Sequence, residues 1–136
     1  MKVTTFPVPF DLIEIEEKIS INRRLDSKAS KEQLIREALK FHSQGNTSEA
    51  AKYYQQFINK RYSNPTIFSN YGAILKDLGK LEQAEIYTRK AIKLKPDFAD
   101  AYTNLGNILR DLGKLEEAES SLQQAIKLKP DFAIAY

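Results

Sequence analysis

The chain has 136 residues, 42% hydrophobic and 29% charged, the balance of one globular domain that buries about two-thirds of its unfolded surface. It has no cysteine and one histidine, His42, which excludes disulfides, thiol redox chemistry and a cysteine or histidine-cluster metal site. The net charge of +3 is spread in mixed sign, zero over residues 1–30, +3 over 31–64, +2 over 65–98 and −2 over 99–132, so solvated helix faces are expected and no nucleic-acid partner.

Residues 1–30 stand apart from the rest. Pro7 and Pro9, beside Phe6 and Phe10, predict an extended start. Leu12, Ile15 and Ile19 follow helical spacing, while the pairs Ile13–Ile15 and Ile19–Ile21 suit strands; a helix over about 10–23 is the favoured reading. Its apolar residues are expected to cover Ile35 and Leu39 or to cross to a second molecule. No secretory signal and no membrane span is expected, since there is no long apolar run and no small-residue cleavage site; the expected location is cytoplasmic.

From residue 31 the chain repeats itself. Pro65–Phe98 laid over Ala99–Phe132 matches at 20 of 34 positions without a gap. Lys31–Asn64 is a weaker copy, with Gly45, Gly79 and Gly113 in register, and likewise Ala50, Ala84 and Ala118. Ala133-Ile134-Ala135-Tyr136 resembles the opening of the preceding unit, as the start of a fourth. A period of this size is the mark of a helical-repeat array.

Each unit reads as two helices. In the first unit Ser30 and Gln33 fit a capping box, which places a helix start at residue 31. In the third unit Tyr102, Leu105, Ile108, Leu109 and Leu112 form one apolar stripe, and Leu115, Ala118, Leu122, Ala125 and Ile126 form another. Gly113 between them supplies the left-handed backbone of a helix end, Pro130 stops the second helix, and Asp131 is placed to cap the next. The pairs Ala38 with Ala50, Gly72 with Ala84 and Gly106 with Ala118 fall where the helices of one hairpin approach closely. A single long coiled coil is excluded by glycine and proline recurring every 34 residues.

The third unit matches all eight signature positions of the tetratricopeptide repeat, through Tyr102, Leu105, Gly106, Leu109, Ala118, Leu122, Ala125 and Pro130. The second matches through Phe68, Tyr71, Gly72, Leu75, Ala84, Ala91 and Pro96, with Thr88 departing; in the first, Glu37, Phe57 and Tyr62 depart. Residues 31–136 therefore resemble a tetratricopeptide-repeat protein. The resemblance implies an all-α, right-handed α-solenoid of helix-turn-helix hairpins: three full repeats (31–64, 65–98, 99–132), a partial fourth (133–136) and an N-terminal extension (1–30). It also implies a non-catalytic scaffold, without cofactor, whose first helices line a concave groove for a protein or an extended peptide.

Helical geometry with the family pattern assigns Ser69, Asn70, Lys76 and Asp77 of the second unit to that groove, beside Thr66 and Ala73. The third unit contributes Asp100, Thr103, Asn104, Asn107, Arg110 and Asp111. The first contributes Glu32, Ile35, Arg36, Leu39, His42 and Ser43. Asn70 and Asn104 hold one position in successive units and are similar to the asparagine ladder in the superhelical arm of O-linked N-acetylglucosamine transferases, which grips a substrate main chain; Arg36 interrupts the series. An asparagine amide has a donor and an acceptor for that purpose. The resemblance leaves open a substrate-recognition arm of a larger transferase and a purely architectural array. The carboxylate clamp for heat-shock chaperone tails resembles a site at Ile35, Leu39, Asn70, Asp100 and Asn104, of which only Asn70 fits, so chaperone C-terminal tails are expected not to bind.

The remaining motifs are weaker. Gly72 to Gly79-Lys80 is too widely spaced for a phosphate loop and has a helix between the glycines. His42, near a helix C-terminus, is expected to be a surface residue. The second helix of the third unit, over 115–129, has no polar capping helix after it, which suggests a piece of a longer array and self-association through 115–136.

Overall fold

The computed structural model describes residues 10–130, with side chains described for 15–18 and 30–130. Six helices are found there, α1 (Phe10–Ser43), α2 (Thr47–Asn59), α3 (Pro65–Asp77), α4 (Leu81–Leu94), α5 (Ala99–Asp111) and α6 (Leu115–Leu128), with no strand among the described residues. They pair as hairpins α1–α2, α3–α4 and α5–α6, and the hairpins stack through α2 on α3, α4 on α5 and α3 on α5. The architecture is an all-α helical-repeat solenoid.

The turns inside the hairpins follow from glycine. Gly45, Gly79 and Gly113 have φ of 76°, 78° and 80°, the left-handed region that a Cβ disfavours. Each lets the next amide reach back over the helix end: Asn46 N to Phe41 O at 2.9 Å, Lys80 N to Leu75 O at 2.8 Å, Lys114 N to Leu109 O at 2.8 Å. Prolines punctuate the other ends. α4 stops at Leu94, two residues before Pro96, and α6 at Leu128, two before Pro130.

One start signal differs from expectation. α1 runs without interruption through Ser30, so the capping box at Ser30 and Gln33 does not start a helix. Residues 22–33 hold neither glycine nor proline and are rich in helix formers, so a continuous helix satisfies the backbone better than a side-chain cap would. Ser30 Oγ instead accepts a hydrogen bond from Lys60 Nζ at 3.0 Å. The helix over 10–23 is therefore the first part of α1, and the expected boundary at residue 30 is not a break in it. α5 takes Phe98 as its N-cap with no side-chain cap, so Asp97, the counterpart of Asp131, does not cap; Asp131 and the fourth-unit residues 133–136 lie outside the described residues. The side-chain caps that do form were not anticipated. Asn46 accepts from Glu49 N at 3.3 Å, and Asn64, followed by Pro65, accepts from Ile67 N at 3.0 Å.

The close-approach positions behave as their small size demands. Ala38, Ala50 and Ala84 are fully buried. A Cβ on Gly106 would lie 2.6 Å from Leu122 Cγ and 3.2 Å from the Ala118 carbonyl oxygen. A Cβ on Gly72 would overlap Thr88 Oγ1 and lie 3.2 Å from the Ala84 carbonyl oxygen. Two of the departures in the first unit, Phe57 and Tyr62, fill its core, together with Tyr54. Tyr54 and Phe57, in register with Thr88 and Ala91, are fully buried, and Tyr62 packs its ring 5.5 Å from that of Phe57. Each such aromatic stabilises the fold by about 2–3 kcal/mol of apolar burial.

Candidate peptide-binding face

The first helices of the second and third hairpins, α3 and α5, lie in direct contact, and α1 is the first helix of the hairpin stacked before them through α2. On α3 the 3.6-residue period aligns Thr66, Ser69, Asn70, Ala73, Lys76 and Asp77 along one side. On α5 it aligns Asp100, Thr103, Asn104, Asn107, Arg110 and Asp111.

These residues are not equally available. Asn70, Lys76, Thr103, Asn104 and Asn107 are half-buried, and Asp77, Asp100, Arg110 and Asp111 are exposed. Ser69 is only 1% exposed and does not reach the open surface. Its small side chain sits under Asn104, whose Nδ2 donates to Ser69 Oγ at 2.9 Å and to the Ser69 carbonyl oxygen at 3.4 Å. A carbonyl only accepts, so this contact fixes which end of the Asn104 amide faces α3. The donor end is engaged with the preceding repeat, and Oδ1 is directed away from it.

Asn70 meets the preceding repeat differently, since Ile35 stands in the register of Ser69 and the partner is the Tyr54 hydroxyl of α2. Burial pushes the Tyr54 hydroxyl above its ordinary pKa, and a hydrogen bond with Asn70 works in the opposite direction. The same hydroxyl lies 2.6 Å from His42 Nδ1. His42 is thus half-buried and hydrogen-bonded, rather than the free surface residue expected from its place near a helix end. His42, Tyr54 and Asn70 tie α1, α2 and α3 together behind the row. Sequence reasoning missed Tyr54; the available signal was its register with Thr88, a position that faces the small residue of the partner helix. Rings continue this packing, with Tyr54 to Tyr71 at 6.1 Å and Tyr71 to Tyr87 at 5.0 Å, both edge-on. Burial, and then the neighbouring Tyr87, raise the Tyr71 hydroxyl as well.

The remaining groups give the row its charge. Lys76 Nζ lies 3.8 Å from Asp77, Arg110 Nε lies 3.9 Å from Asp111, and Asp100 lies 3.8 Å from Lys129 Nζ. Thr103 Oγ1 donates back to the Ala99 carbonyl at 3.3 Å. In α1, Arg36 and Glu32 are exposed, while Ile35 and Leu39 pack against the core of the first hairpin. Among the described residues no cluster of histidine and carboxylates could hold a metal ion, and no helix is long and apolar enough to cross a membrane. At the far end of the array Leu115 and Ile126 of α6 are 65% and 45% exposed.

Three stacked hairpins with a shared core and a polar row of first helices define a helical-repeat scaffold. Tetratricopeptide repeat models match residues 34–64, 65–98 and 99–132, and the chain belongs to the tetratricopeptide repeat family. Nothing among curated protein sequences matches it significantly. Solved structures do. The first tetratricopeptide domain of Spaghetti (RPAP3), bound to the HSP90 peptide SRMEEVD, is 26% identical with a TM-score of 0.68, covering 75% of this chain and 81% of that one. The second such domain, bound to the same peptide, is 24% identical with a TM-score of 0.70, covering 82% and 99%. The Thermobaculum terrenum O-GlcNAc transferase is 25% identical with a TM-score of 0.71, covering 77% of this chain but only 20% of that one.

These structures correct one expectation. Chaperone tails were expected not to bind because four of five clamp positions carry the wrong residues, yet domains of this same fold hold the HSP90 peptide, and the TPR2B domain of yeast Sti1 is in complex with pHsp70. The exclusion does not stand. It rested on residue identities at fixed backbone positions, whereas long cationic side chains reach the same space from several positions along a helix row.

Proposed function

We propose that the chain is a non-catalytic scaffold that holds an extended protein segment along the row formed by α1, α3 and α5. The observation that carries this reading is the repeated asparagine. Asn70 and Asn104 each brace the preceding repeat, and the bracing of Asn104 leaves Oδ1 as the group oriented to accept a main-chain N–H. A rigid acceptor costs little entropy when a peptide binds. Lys76 and Arg110, one to two turns further along their helices and each beside an aspartate, Asp77 and Asp111, offer cationic donors to a carboxylate of the bound segment. Support for acidic ligands comes from the structural neighbours that hold the peptide SRMEEVD.

The test is a capture from host lysate together with anisotropy of a labelled SRMEEVD peptide. Wild type is compared with Asn104→Ala and with Lys76→Glu/Arg110→Glu, all checked for fold by circular dichroism. Partners retained by wild type and lost by both variants support the row as the binding surface. Recovery of the same partners by all three sinks it.

A second reading has specific support in the similarity to the transferase, of which the chain spans about a fifth. On that reading the row recognises the substrates of a larger enzyme. It predicts that captured proteins are modified by the enzyme that carries these repeats.

A further inference from the structure

Away from the peptide row, the junction of the first two hairpins forms an open groove of about 450 Å³ between the end of α2, the start of α3 and the outer side of α4. Its floor is apolar and aromatic, with Phe68 buried, Ile58 and Tyr87 half-buried, and Leu94 48% exposed. Its rim is cationic, with Arg61, Lys90 and Lys93 all exposed, and no carboxylate lines it. Lys90 Nζ rests 5.0 Å from the centre of the Tyr87 ring, and Lys31 Nζ rests 5.7 Å from that of Tyr62, so two ammonium groups are held at its edge by aromatic faces.

A second observation singles out Arg61. It has φ of 59°, the one positive value at a non-glycine position among the described residues. It follows the C-cap of α2, where the turn is closed by Arg61 N to Ile58 O at 2.9 Å and Tyr62 N to Phe57 O at 3.3 Å. Glycine fills this geometry at the three hairpin turns without steric cost, so an arginine here keeps a strained backbone in exchange for a side chain at the groove.

We propose that this groove is a second docking site, separate from the peptide row, for an internal acidic segment of a partner protein that inserts a leucine or aromatic side chain. The apolar floor takes the inserted side chain, and the Arg61, Lys90 and Lys93 rim pairs with flanking Asp and Glu. Charge complementarity selects this occupant: a purely apolar helix would leave three cations facing it. A single-stranded nucleic acid would need a continuous cationic track, which the mixed charge of the neighbouring units does not provide.

The test is selection from a library of short random peptides displayed with both ends fused, so that no terminal carboxylate takes part. Recovered sequences are synthesised and measured by fluorescence anisotropy. The expected result is enrichment of acidic sequences containing Leu or Phe, with binding weakened by about tenfold or more in Lys90→Glu/Lys93→Glu and in Leu94→Ser, and unchanged in Glu116→Gln on the exposed side of α6. Arg61→Gly adds a readout that a structural role alone would not give: the melting temperature rises while binding weakens. Three results overturn the proposal: no acidic-apolar enrichment, equal binding by the charge-reversed variant, or an oligouridylate probe that binds wild type more tightly than the selected peptides.

Discussion

Asn104 Nδ2 donates to Ser69 Oγ at 2.9 Å across 35 residues of sequence, so the groove asparagine of one repeat is a brace on the repeat before it. The Ser69 carbonyl oxygen, at 3.4 Å, shares the same donor. Asn104→Ala is expected to cost about 1 kcal/mol of stability in urea denaturation, the usual net value of such a bond. Asn104→Asp should cost more at neutral pH, because a carboxylate then faces a carbonyl that cannot donate. Ser69→Ala should cost less, since the carbonyl remains. Equal stability of wild type and Asn104→Ala would mean that the brace is not formed in solution.

Gly72 and Thr88 fit each other. Thr88 is fully buried, and its Oγ1 donates to the Ala84 carbonyl at 2.8 Å, directly under the point where a Gly72 side chain would stand. Gly72→Ala gains helix propensity of about 1 kcal/mol but overpacks the hairpin, which costs about 1–3 kcal/mol, so net destabilisation is expected. Adding Thr88→Ala removes the worst contact and should recover much of the loss, although the Ala84 carbonyl still lies 3.2 Å from the new Cβ. Denaturant melts of the two single variants and the double variant complete the cycle. Strict additivity would show that the two positions do not touch.

The legibility of this chain tracks the kind of physics involved. Local backbone signals were readable: positive φ at Gly45, Gly79 and Gly113, and helix ends ahead of Pro96 and Pro130, depend on a few adjacent residues. Period-34 self-similarity made the stacking readable too. The capping box at Ser30 misled because a cap matters only where a helix must end, and nothing in residues 22–33 ends one. Ser69 and Asn104 were both assigned to the open face, since periodicity gives a side of a helix but not depth. Depth is set by the next helix in the stack, which only the assembled fold supplies. The His42–Tyr54–Asn70 link was unreadable for the same reason, as it joins three helices.

Tyr54 offers a test at alkaline pH. Its hydroxyl is raised above the ordinary value of 10.0, first by burial, with Asn70 opposing. A raised pKa on a group that is neutral when protonated means that its contribution is fully present below the unfolded-state value. That contribution is lost as pH rises through the higher folded value. Wild type should therefore lose stability from about pH 10 upward more steeply than Tyr54→Phe. At neutral pH the variant should be about 1 kcal/mol less stable, because His42 loses its partner. Absorbance of tyrosinate followed beside circular dichroism checks both; parallel pH profiles would remove Tyr54 as a contributor.

Glu85 links two repeats through charge. Its carboxylate accepts from Arg89 Nε and from Lys114 Nζ, each at 3.0 Å, and Arg89 also lies 3.5 Å from Glu117 on α6. Burial alone would raise the Glu85 pKa, but the hydrogen bonds from Lys114 and Arg89 outweigh it and hold the carboxyl below the ordinary 4.5. A lowered carboxyl pKa gives stability that is present above the unfolded value and disappears as pH falls through the folded one. The stability difference between wild type and Glu85→Gln should accordingly be constant at neutral pH and shrink below about pH 4.5. Lys114 and Arg89 are about half exposed, so solvent screening keeps the neutral-pH difference under about 1 kcal/mol. Molar salt, with a Debye length of about 3 Å, should reduce it further. A difference that stays the same from neutral to acidic pH, in low and high salt alike, would assign the effect of the substitution to packing rather than to the ion pairs.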